Sequence, residues 1–280
     1  MWKLEIPDVS NREDEFNGAL FDAMGRRLCR FSEKQKNGLF SAYETYDLAS
    51  GRPSRSLLFA RLGHRFLDAI REAYDQVQEG KRLALLRARL KLAATKCPYC
   101  GFGEVSDLDH HLPGSRYKAF AIYARNLVPC CHRCNNKKRT IAGDTPDAQF
   151  VHAYLDEIPQ QPFLVAQIEF VGASFVVSFR ISQCQGMTED MFRRLVFQFE
   201  RLELNSRYQA EVVEFMSDQR TGIEGAALAG PLTLRDFVER SHGNALAQRG
   251  ANHWKTALWS ALLHSDDFIG GAYKNCFGHQ

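Results

Sequence analysis

Two cysteine pairs constrain the fold of this chain more than any other feature of its sequence. Cys97-Pro-Tyr-Cys100 and Cys131-His-Arg-Cys134 are both C-x₂-C turns, and 30 residues separate them. A turn of this length points both of its sulfurs at one ion, and two such turns complete a tetrahedral four-thiolate zinc site. Because such a site has no open coordination position, the sequence predicts a structural Zn²⁺ held by these four cysteines.

The distribution of the cysteines along the chain also favours zinc. The chain has 8 cysteines, and five of them fall between residues 97 and 134. A disulfide framework would spread them along the chain and would suit a small secreted protein. A lone C-x-x-C is compatible with a thioredoxin-like redox site, but two in one short segment favour zinc. Cys130 and Cys134 remain an alternative pair, although the x₂ spacing is the better match.

Composition indicates a soluble globular protein. Of the 280 residues, 45% are hydrophobic and 25% are charged, which is ordinary for such proteins. No apolar run approaches the ~18 residues that a membrane span requires. The N-terminal sequence MWKLEIPDVSNRED has no apolar stretch of the kind found in secretory signals. We therefore predict a cytoplasmic protein with no membrane partner.

Basic charge is concentrated around the cysteine motifs. Residues 81–140 hold thirteen lysines and arginines against three acidic residues, whereas the whole chain has a net charge of only +3. A basic block around a metal motif predicts a polyanionic partner, in particular nucleic acid. A solvated charged helix is the alternative for residues 81–91, but it explains less well the basic residues that are interleaved with the motif.

The organisation of the chain predicts an α+β protein in three parts. Residues 1–93 have the apolar spacing of helices, most clearly at 55–78, and residues 94–145 contain the motifs. Residues 146–280 begin with two β-rich runs, PFLVAQIEF and SFVVSFRIS, which predict a hairpin. Helices follow this hairpin, one starting at Thr188 and one at Thr233, which has Asp236 at capping-box spacing.

Chemically useful side chains lie within and beside the loop that the cysteine pairs enclose. They are a carboxylate, two imidazoles and two amides: Asp109, His110, His111, Asn126 and Asn135. Such groups suit a hard or borderline metal ion together with a general base. The sequence therefore predicts a reactive centre next to the structural zinc.

About fifty residues of this region resemble the HNH, or ββα-metal, nucleases. The pattern of that family stands here as CPYC, DHHLP, NLV and CHRCNNKK, with every part present and in order. The resemblance implies a ββα-metal core of two strands and a helix with Cys₄ zinc knuckles. It does not extend to residues 1–93.

The resemblance also implies a role for each matching residue. Asp109 and Asn135 match the ligands of the catalytic metal, and His110 matches the general base that activates water. Asn126 matches the asparagine that fixes the long loop and so orients the histidine. Because the last position of the motif is Asn135 here and often histidine elsewhere, the ligand set is rich in oxygen, which favours Mg²⁺ or Mn²⁺.

The adjacent histidine raises the question of register. In relatives with a His-His pair the first histidine binds metal and the second is the base, which would give the role of base to His111. The Asp-His-x-x-Pro spacing to Pro113 favours His110 instead. We expect His111 to serve in packing or in a substrate contact, and His132 to be exposed.

Cations and aromatic residues within the motif region suit a nucleic-acid surface. The candidates for nucleic-acid binding are Arg116, Lys118, Arg125, Lys137, Lys138 and Arg139. Lys138 matches the basic residue one turn along the helix of the family pattern. Tyr117, Phe120 and Tyr123 suit packing against bases or sugars, and they are equally suited to closing a small core.

The resemblance, together with the basic charge of the motif region, implies a metal-dependent endonuclease that hydrolyses phosphodiester bonds in DNA, with RNA and strandedness left open. The alternative is a catalytically inactive, zinc-stabilised module that binds nucleic acid or protein, but a pure binder has no need of the set Asp109, His110 and Asn135. The layout of the whole chain resembles bacterial phage-defence nucleases that act beside a sensor or ATPase subunit. This resemblance implies an antiviral or restriction-type effector with a protein partner.

Overall fold

Residues Trp2–Ile158 and the chain from Pro159 onwards fold as two separate compact units. The computed structural model describes residues 2–172 and 174–277. Both units combine helices with a small two-stranded sheet, so the predicted α+β class is confirmed. The division at residues 93 and 145 stays a prediction, and both the helical region and the motif region lie within the first unit.

The first unit surrounds two short strands with helices. Its elements in chain order are α1 (Arg12–Leu20), α2 (Glu33–Leu48), α3 (His64–Glu72), α4 (Ala84–Leu92), β1 (Asp107–His110), β2 (Leu127–Cys130) and α5 (His132–Lys138). β1 and β2 are antiparallel, with Asp109 opposite Val128 and His110 opposite Leu127. The motif region is thus a strand, a long loop, a second strand and a helix.

Local signals explain where the helices begin. Ser32 caps α2 through a capping box in which Ser32 and Gln35 each bond the backbone N–H of the other. The predicted helix over 55–78 is wrong in its first half. Phe59 and Gly63 have positive φ angles of 48° and 86°, which end the short 3-10 turns there, so α3 begins only at His64.

The helices and the motif loop share one core. The ring of Tyr43 in α2 stacks on that of Tyr123, with centroids 4.1 Å apart. Phe120 of the same loop packs edge-on against Phe59 at 6.1 Å and lies beside Tyr46 at 4.8 Å. The loop between β1 and β2 therefore depends on the N-terminal helices for its packing.

The second unit begins with the predicted hairpin. Its elements are β3 (Leu164–Val171), β4 (Ser174–Ile181), α6 (Glu189–Arg201), α7 (Leu204–Leu228), α8 (Pro231–Arg249), α9 (Trp254–Leu263) and α10 (Asp266–Gly270). β3 and β4 are antiparallel, with Leu164 opposite Ile181, which confirms the hairpin.

Two predicted helix starts in this unit have different outcomes. Thr188 caps α6, because its hydroxyl accepts a hydrogen bond from the N–H of Met191. The start at Thr233 is wrong, since α8 begins at Pro231 and Thr233 lies inside its first turn. Proline is favoured in the first turn because its φ is already helical and its missing N–H is not needed there.

No helix within the described residues combines the length and the apolar character that crossing a membrane requires.

The shared core leads to a prediction about the folding of fragments of the first unit. A fragment of residues 94–145 lacks the partners of Phe120 and Tyr123, so we expect it to stay without a cooperative fold even when zinc is present. A fragment of residues 2–158 keeps these contacts and is expected to unfold in one cooperative transition. Circular dichroism during heating, with both fragments loaded with one equivalent of Zn²⁺, makes the comparison. A cooperative transition of the shorter fragment would contradict the shared core.

Candidate active site

Four buried cysteines come together as the sequence predicts. The sulfur atoms of Cys97, Cys100, Cys131 and Cys134 all lie within 4.8 Å of one another. This spacing, the burial and the four thiols fit a structural metal such as zinc, which thiolates bind tetrahedrally. Hydrogen bonds from the Cys100 thiol and the other two cysteines lower the pKa of Cys131, which favours its thiolate form.

Two glycines allow the first cysteine turn to fold closely around this site. Gly101 has a φ of 89° and donates its N–H to the Cys97 carbonyl at 2.8 Å, which turns the chain back beneath the sulfurs. A Cβ at Gly103 would lie 2.8 Å from Sγ of Cys131 and 3.2 Å from Sγ of Cys100. Only glycine therefore fits at position 103.

Cys130 takes no part in this cluster. It lies in β2, opposite Asp107 of β1, with no exposed surface. Burial raises the pKa of the Cys130 thiol, so it stays protonated. The pair Cys131–Cys134, and not Cys130–Cys134, supplies the second half of the site.

Asn126 holds the loop between β1 and β2 with its whole side-chain amide. Its Oδ1 accepts hydrogen bonds from the N–H of Leu112 at 2.8 Å and from the Tyr46 hydroxyl at 2.9 Å. Its Nδ2 donates to the carbonyls of Leu112 at 3.1 Å and Phe120 at 3.0 Å. Asn126 is fully buried, so the loop has little freedom at this point.

A buried chain of hydrogen bonds extends from Asn126 to residues that follow the motif. Tyr46 donates to Asn126 and its oxygen lies 2.9 Å from Nε2 of His152. Nδ1 of His152 accepts from the N–H of Tyr154 at 3.2 Å, so Nε2 is the nitrogen that carries the proton and donates. His111 packs its ring against that of His152, with centroids 4.0 Å apart, which agrees with a packing role.

His110 points to the other side of β1 with one ring nitrogen already engaged. Its Nε2 lies 2.9 Å from the Ala121 carbonyl, and because a carbonyl only accepts, Nε2 is the donor. The neutral ring then carries its lone pair on Nδ1. The Tyr74 ring lies 4.3 Å from the imidazole, and its hydroxyl donates to the Leu108 carbonyl at 3.1 Å. Burial lowers the pKa of His110, which favours the neutral form.

Asp109 is held by a buried lysine. Lys138 places its Nζ 3.1 Å from Oδ1 and 3.0 Å from Oδ2 of Asp109, and it also donates to the His110 carbonyl at 2.7 Å. The Tyr99 hydroxyl donates to Oδ2 at 2.9 Å. Both carboxylate oxygens are thus engaged, and Asp109 is only 2% exposed. This arrangement does not fit a carboxylate that is open to a catalytic Mg²⁺ or Mn²⁺, because an ammonium group already neutralises it.

Asn135 stands in the first turn of α5 with its amide fixed. Its Nδ2 donates to Oδ2 of Asp107 at 2.9 Å, and the same oxygen accepts from Nδ1 of His132 at 2.9 Å. The imidazole of His132 is exposed, as predicted. Among the described residues the four cysteines form the one metal-compatible group of histidine, cysteine and acidic side chains.

Asp109, His110 and Asn135 line one cleft of about 480 Å³. The first unit alone forms this cleft, with β1 and α5 on one side and the end of α3 with the turn after it on the other. Its other lining residues are Arg71, Glu72, Tyr74, Asp75, Leu108, Pro113, Gly114, Ser115, Ala121, Arg139 and Thr140. The structure therefore brings together the three residues that the motif predicts as a catalytic set.

Three of the candidate nucleic-acid contacts lie in the loop. Arg116 is exposed, whereas Lys118 forms an ion pair with Asp68 and Arg125 forms one with Asp47. The aromatic residues of this loop are buried in the shared core, which leaves them no exposed ring for stacking on bases. They are Tyr117, Phe120 and Tyr123.

The other three candidates lie at the end of α5. Lys137 is half-buried, and Arg139 is exposed and lines the cleft. Lys138 is fully buried against Asp109, so its ammonium has no surface from which to contact a phosphate in this structure. This differs from the prediction, and the reason is that Asp109 needs a buried counter-charge.

Sequence reasoning missed three residues that shape the site: Tyr74, Tyr99 and Asp107. Asp107 had a usable signal, since it stands two residues before Asp109 and alternate residues of a strand share a face. The two tyrosines lie outside the polar pattern of the motif, and no spacing rule connects them to it.

Comparisons with known proteins give distant relatives. Protein ea31 of Escherichia phage lambda is 27% identical in an alignment over 195 residues, and the match covers 63% of this chain and 64% of ea31. The Septu protein PtuB of Bacillus thuringiensis is 36% identical in an alignment over 58 residues, and the match covers 19% of this chain and 23% of PtuB. The chain thus spans less than two thirds of each of these relatives. No family model and no solved structure matches it.

The cluster of four cysteines leads to a prediction in which neighbouring cysteines serve as test and control. Cys131→Ser removes one of four thiolates, so we expect loss of the zinc and of the fold of the motif region, because metal binding and folding are coupled. Cys130→Ala removes a buried thiol outside the cluster and should retain one zinc per chain. Elemental analysis and thermal unfolding measure both effects. Zinc retained by the first variant, or lost by the second, would refute the assignment.

Proposed function

We propose that this chain is an HNH-type endonuclease that hydrolyses phosphodiester bonds in DNA. The observation that carries the proposal is the cleft in which His110, Asp109 and Asn135 meet. The buried Asn126 clamp supports it, since it fixes the loop whose Ala121 carbonyl orients His110. The resemblance of the motifs in kind and order supplies the reaction type.

In this proposal His110 accepts the proton of the attacking water at Nδ1. Its Nε2–H stays on the Ala121 carbonyl, which also stabilises the positive charge that the ring gains. As the water oxygen bonds to phosphorus, one phosphorus–oxygen ester bond breaks and the leaving oxygen takes up a proton. Each cut thus adds one water across one ester bond. The lowered pKa of His110 keeps its ring neutral, as a base requires.

The proposed cofactor is Mg²⁺ or Mn²⁺, which would supply charge stabilisation at the phosphate. The resemblance implies this ion, whereas Asp109 is already paired with Lys138. No step of the reaction is assigned to it for that reason. Activity with Mg²⁺, Mn²⁺ or EDTA tests the requirement directly, and it is separate from the structural zinc.

A binding module without catalysis is the second candidate function. One observation favours it: both oxygens of Asp109 are bonded by Lys138 and Tyr99, which leaves the carboxylate closed. Such a module would bind nucleic acid or protein through the exposed part of the basic motif region. It would bind DNA without cutting it under any metal condition.

We further propose a cytoplasmic role in antiviral defence beside a protein partner such as an ATPase or sensor subunit. The layout of the chain supports this proposal, and so does the 58-residue similarity to the Septu protein PtuB. The basic charge is concentrated at residues 81–140 and the remainder is net acidic, so the remainder suits a protein partner better than DNA.

The assignment of the base makes a prediction about two adjacent histidines. His110→Ala should keep the zinc and the fold but lose at least ~100-fold of the cleavage rate, which is the usual worth of a general base. His111→Ala removes a buried ring that packs on His152, so its main effect should be on thermal stability. Cleavage of plasmid and single-stranded DNA with Mg²⁺, Mn²⁺ or EDTA is the measurement. An active His110→Ala together with an inactive, folded His111→Ala would show the register to be wrong.

The partner proposal makes a prediction about the isolated chain. Full-length protein alone should cut poorly, and it should cut better with the proteins encoded beside it, because the acidic part is proposed to engage a partner. Rates at equal salt, with and without those proteins, make the test. Vigorous, sequence-specific cutting by the isolated chain would contradict a regulated effector and favour a restriction- or homing-type enzyme.

A further inference from the structure

The carboxylate of Asp107 is hydrogen-bonded to the side-chain amide of Asn135. Its Oδ2 accepts two hydrogen bonds of 2.9 Å, one from Nδ2 of Asn135 and one from Nδ1 of His132. Asp107 stands on the same face of β1 as Asp109, but its side chain is partly open, with 23% exposure. Neither the motif nor the resemblance gives this residue a role.

The Asp107 carboxylate determines the orientation of the Asn135 side-chain amide. An ionised carboxylate only accepts hydrogen bonds, so the NH₂ group of Asn135 must face Asp107 and its Oδ1 must face away. Asn135 lines the cleft, and its amide oxygen is the atom left to act there.

We propose that Asp107 is a positioning residue of the candidate site, which presents the amide oxygen of Asn135 to the cleft. The inference rests on the proposed function. An oxygen in this position accepts a hydrogen bond from water or binds a hard cation, whereas a reversed amide would offer only N–H donors and would do neither.

The second hydrogen bond of Asp107 supplies a matched control. Nδ2 of Asn136 donates to Nε2 of His132 at 2.8 Å, so Nε2 accepts and Nδ1 is the nitrogen that donates to Asp107. The His132 side chain is 72% exposed and does not line the cleft. His132→Ala therefore removes one of the two bonds to Asp107 and leaves the other, to Asn135, in place.

The test compares Asp107→Ala, Asp107→Asn and His132→Ala in the full-length chain. Loss of the hydrogen-bonding partner of a metal ligand, which is the role that the resemblance implies for Asn135, typically costs about 10-fold to 100-fold in activity. We expect Asp107→Ala to lower kcat by about 10-fold or more, with a much smaller change in KM, at unchanged zinc content. Asp107→Asn keeps one acceptor oxygen and should recover part of kcat, while His132→Ala should cut like the wild type.

A spectroscopic measurement tests the orientation apart from activity. In protein labelled with ¹⁵N in asparagine side chains, the Asn135 amide resonance is assigned by its loss in Asn135→Ala. Its protons should exchange slowly in the wild type and in His132→Ala, and faster in Asp107→Ala. An unchanged Asn135 resonance in Asp107→Ala would overturn the proposal. So would an equal loss of kcat in His132→Ala, which would assign Asp107 to holding the start of α5.

The endonuclease activity and the positioning role of Asp107 are tested separately by these measurements. If the wild type cuts no nucleic acid under any metal condition, either alone or with the proteins encoded beside it, the proposed function fails, and the amide resonance alone decides the role of Asp107. If the wild type cuts and Asp107→Ala cuts equally well, the endonuclease stands and the positioning role falls.

Discussion

All donor and acceptor positions of the Asn126 side-chain amide form hydrogen bonds, and these bonds hold the loop that carries the candidate site. Two of its bonds go to Leu112, one goes to Phe120 and one comes from Tyr46 of helix α2. A buried amide left without any of these partners would cost about 1–3 kcal/mol for each lost bond. The loop is therefore fixed to helix α2 and to strand β1, which precedes it. The Ala121 carbonyl, which orients His110, is fixed with the loop.

The buried ion pair between Lys138 and Asp109 stabilises the part of the site formed by β1 and α5. Lys138 and Asp109 are both excluded from water, and removing one partner of such a pair typically costs about 3–5 kcal/mol because the other charge is left uncompensated. Helix α5 ends directly after Lys138, where Arg139 adopts a φ of 51° and a ψ of −129°. This backbone conformation costs a residue with a side chain about 1–3 kcal/mol.

The sequence correctly predicts those features of the fold that follow from a local pattern of residues. Cysteine spacing identified the four residues that form the metal-compatible cluster, because thiolates that share one ion must come together whatever surrounds them. The two β-rich runs identified the hairpin of the second unit. The sequence predictions were wrong where contacts between residues distant in the chain determine the structure. The partner of Lys138 lies 29 residues away, and Phe59 breaks an apolar pattern that is otherwise typical of a helix. The catalytic roles remain predictions, since they concern chemistry and not placement.

The short helix α5 shows why a motif of about fifty residues belongs to a much larger unit. Seven residues are too few for a stable isolated helix, so α5 depends on anchors at both ends. Cys131 and Cys134 tie its first turn to the metal-binding cluster, and Lys138 ties its last turn to β1. Asn135 lies between these anchors. The helices of residues 1–93 add the Tyr46 bond and the Tyr74 ring against His110, contacts that two short strands and one short helix could not provide alone. The N-terminal helices thus contribute contacts to the candidate active site.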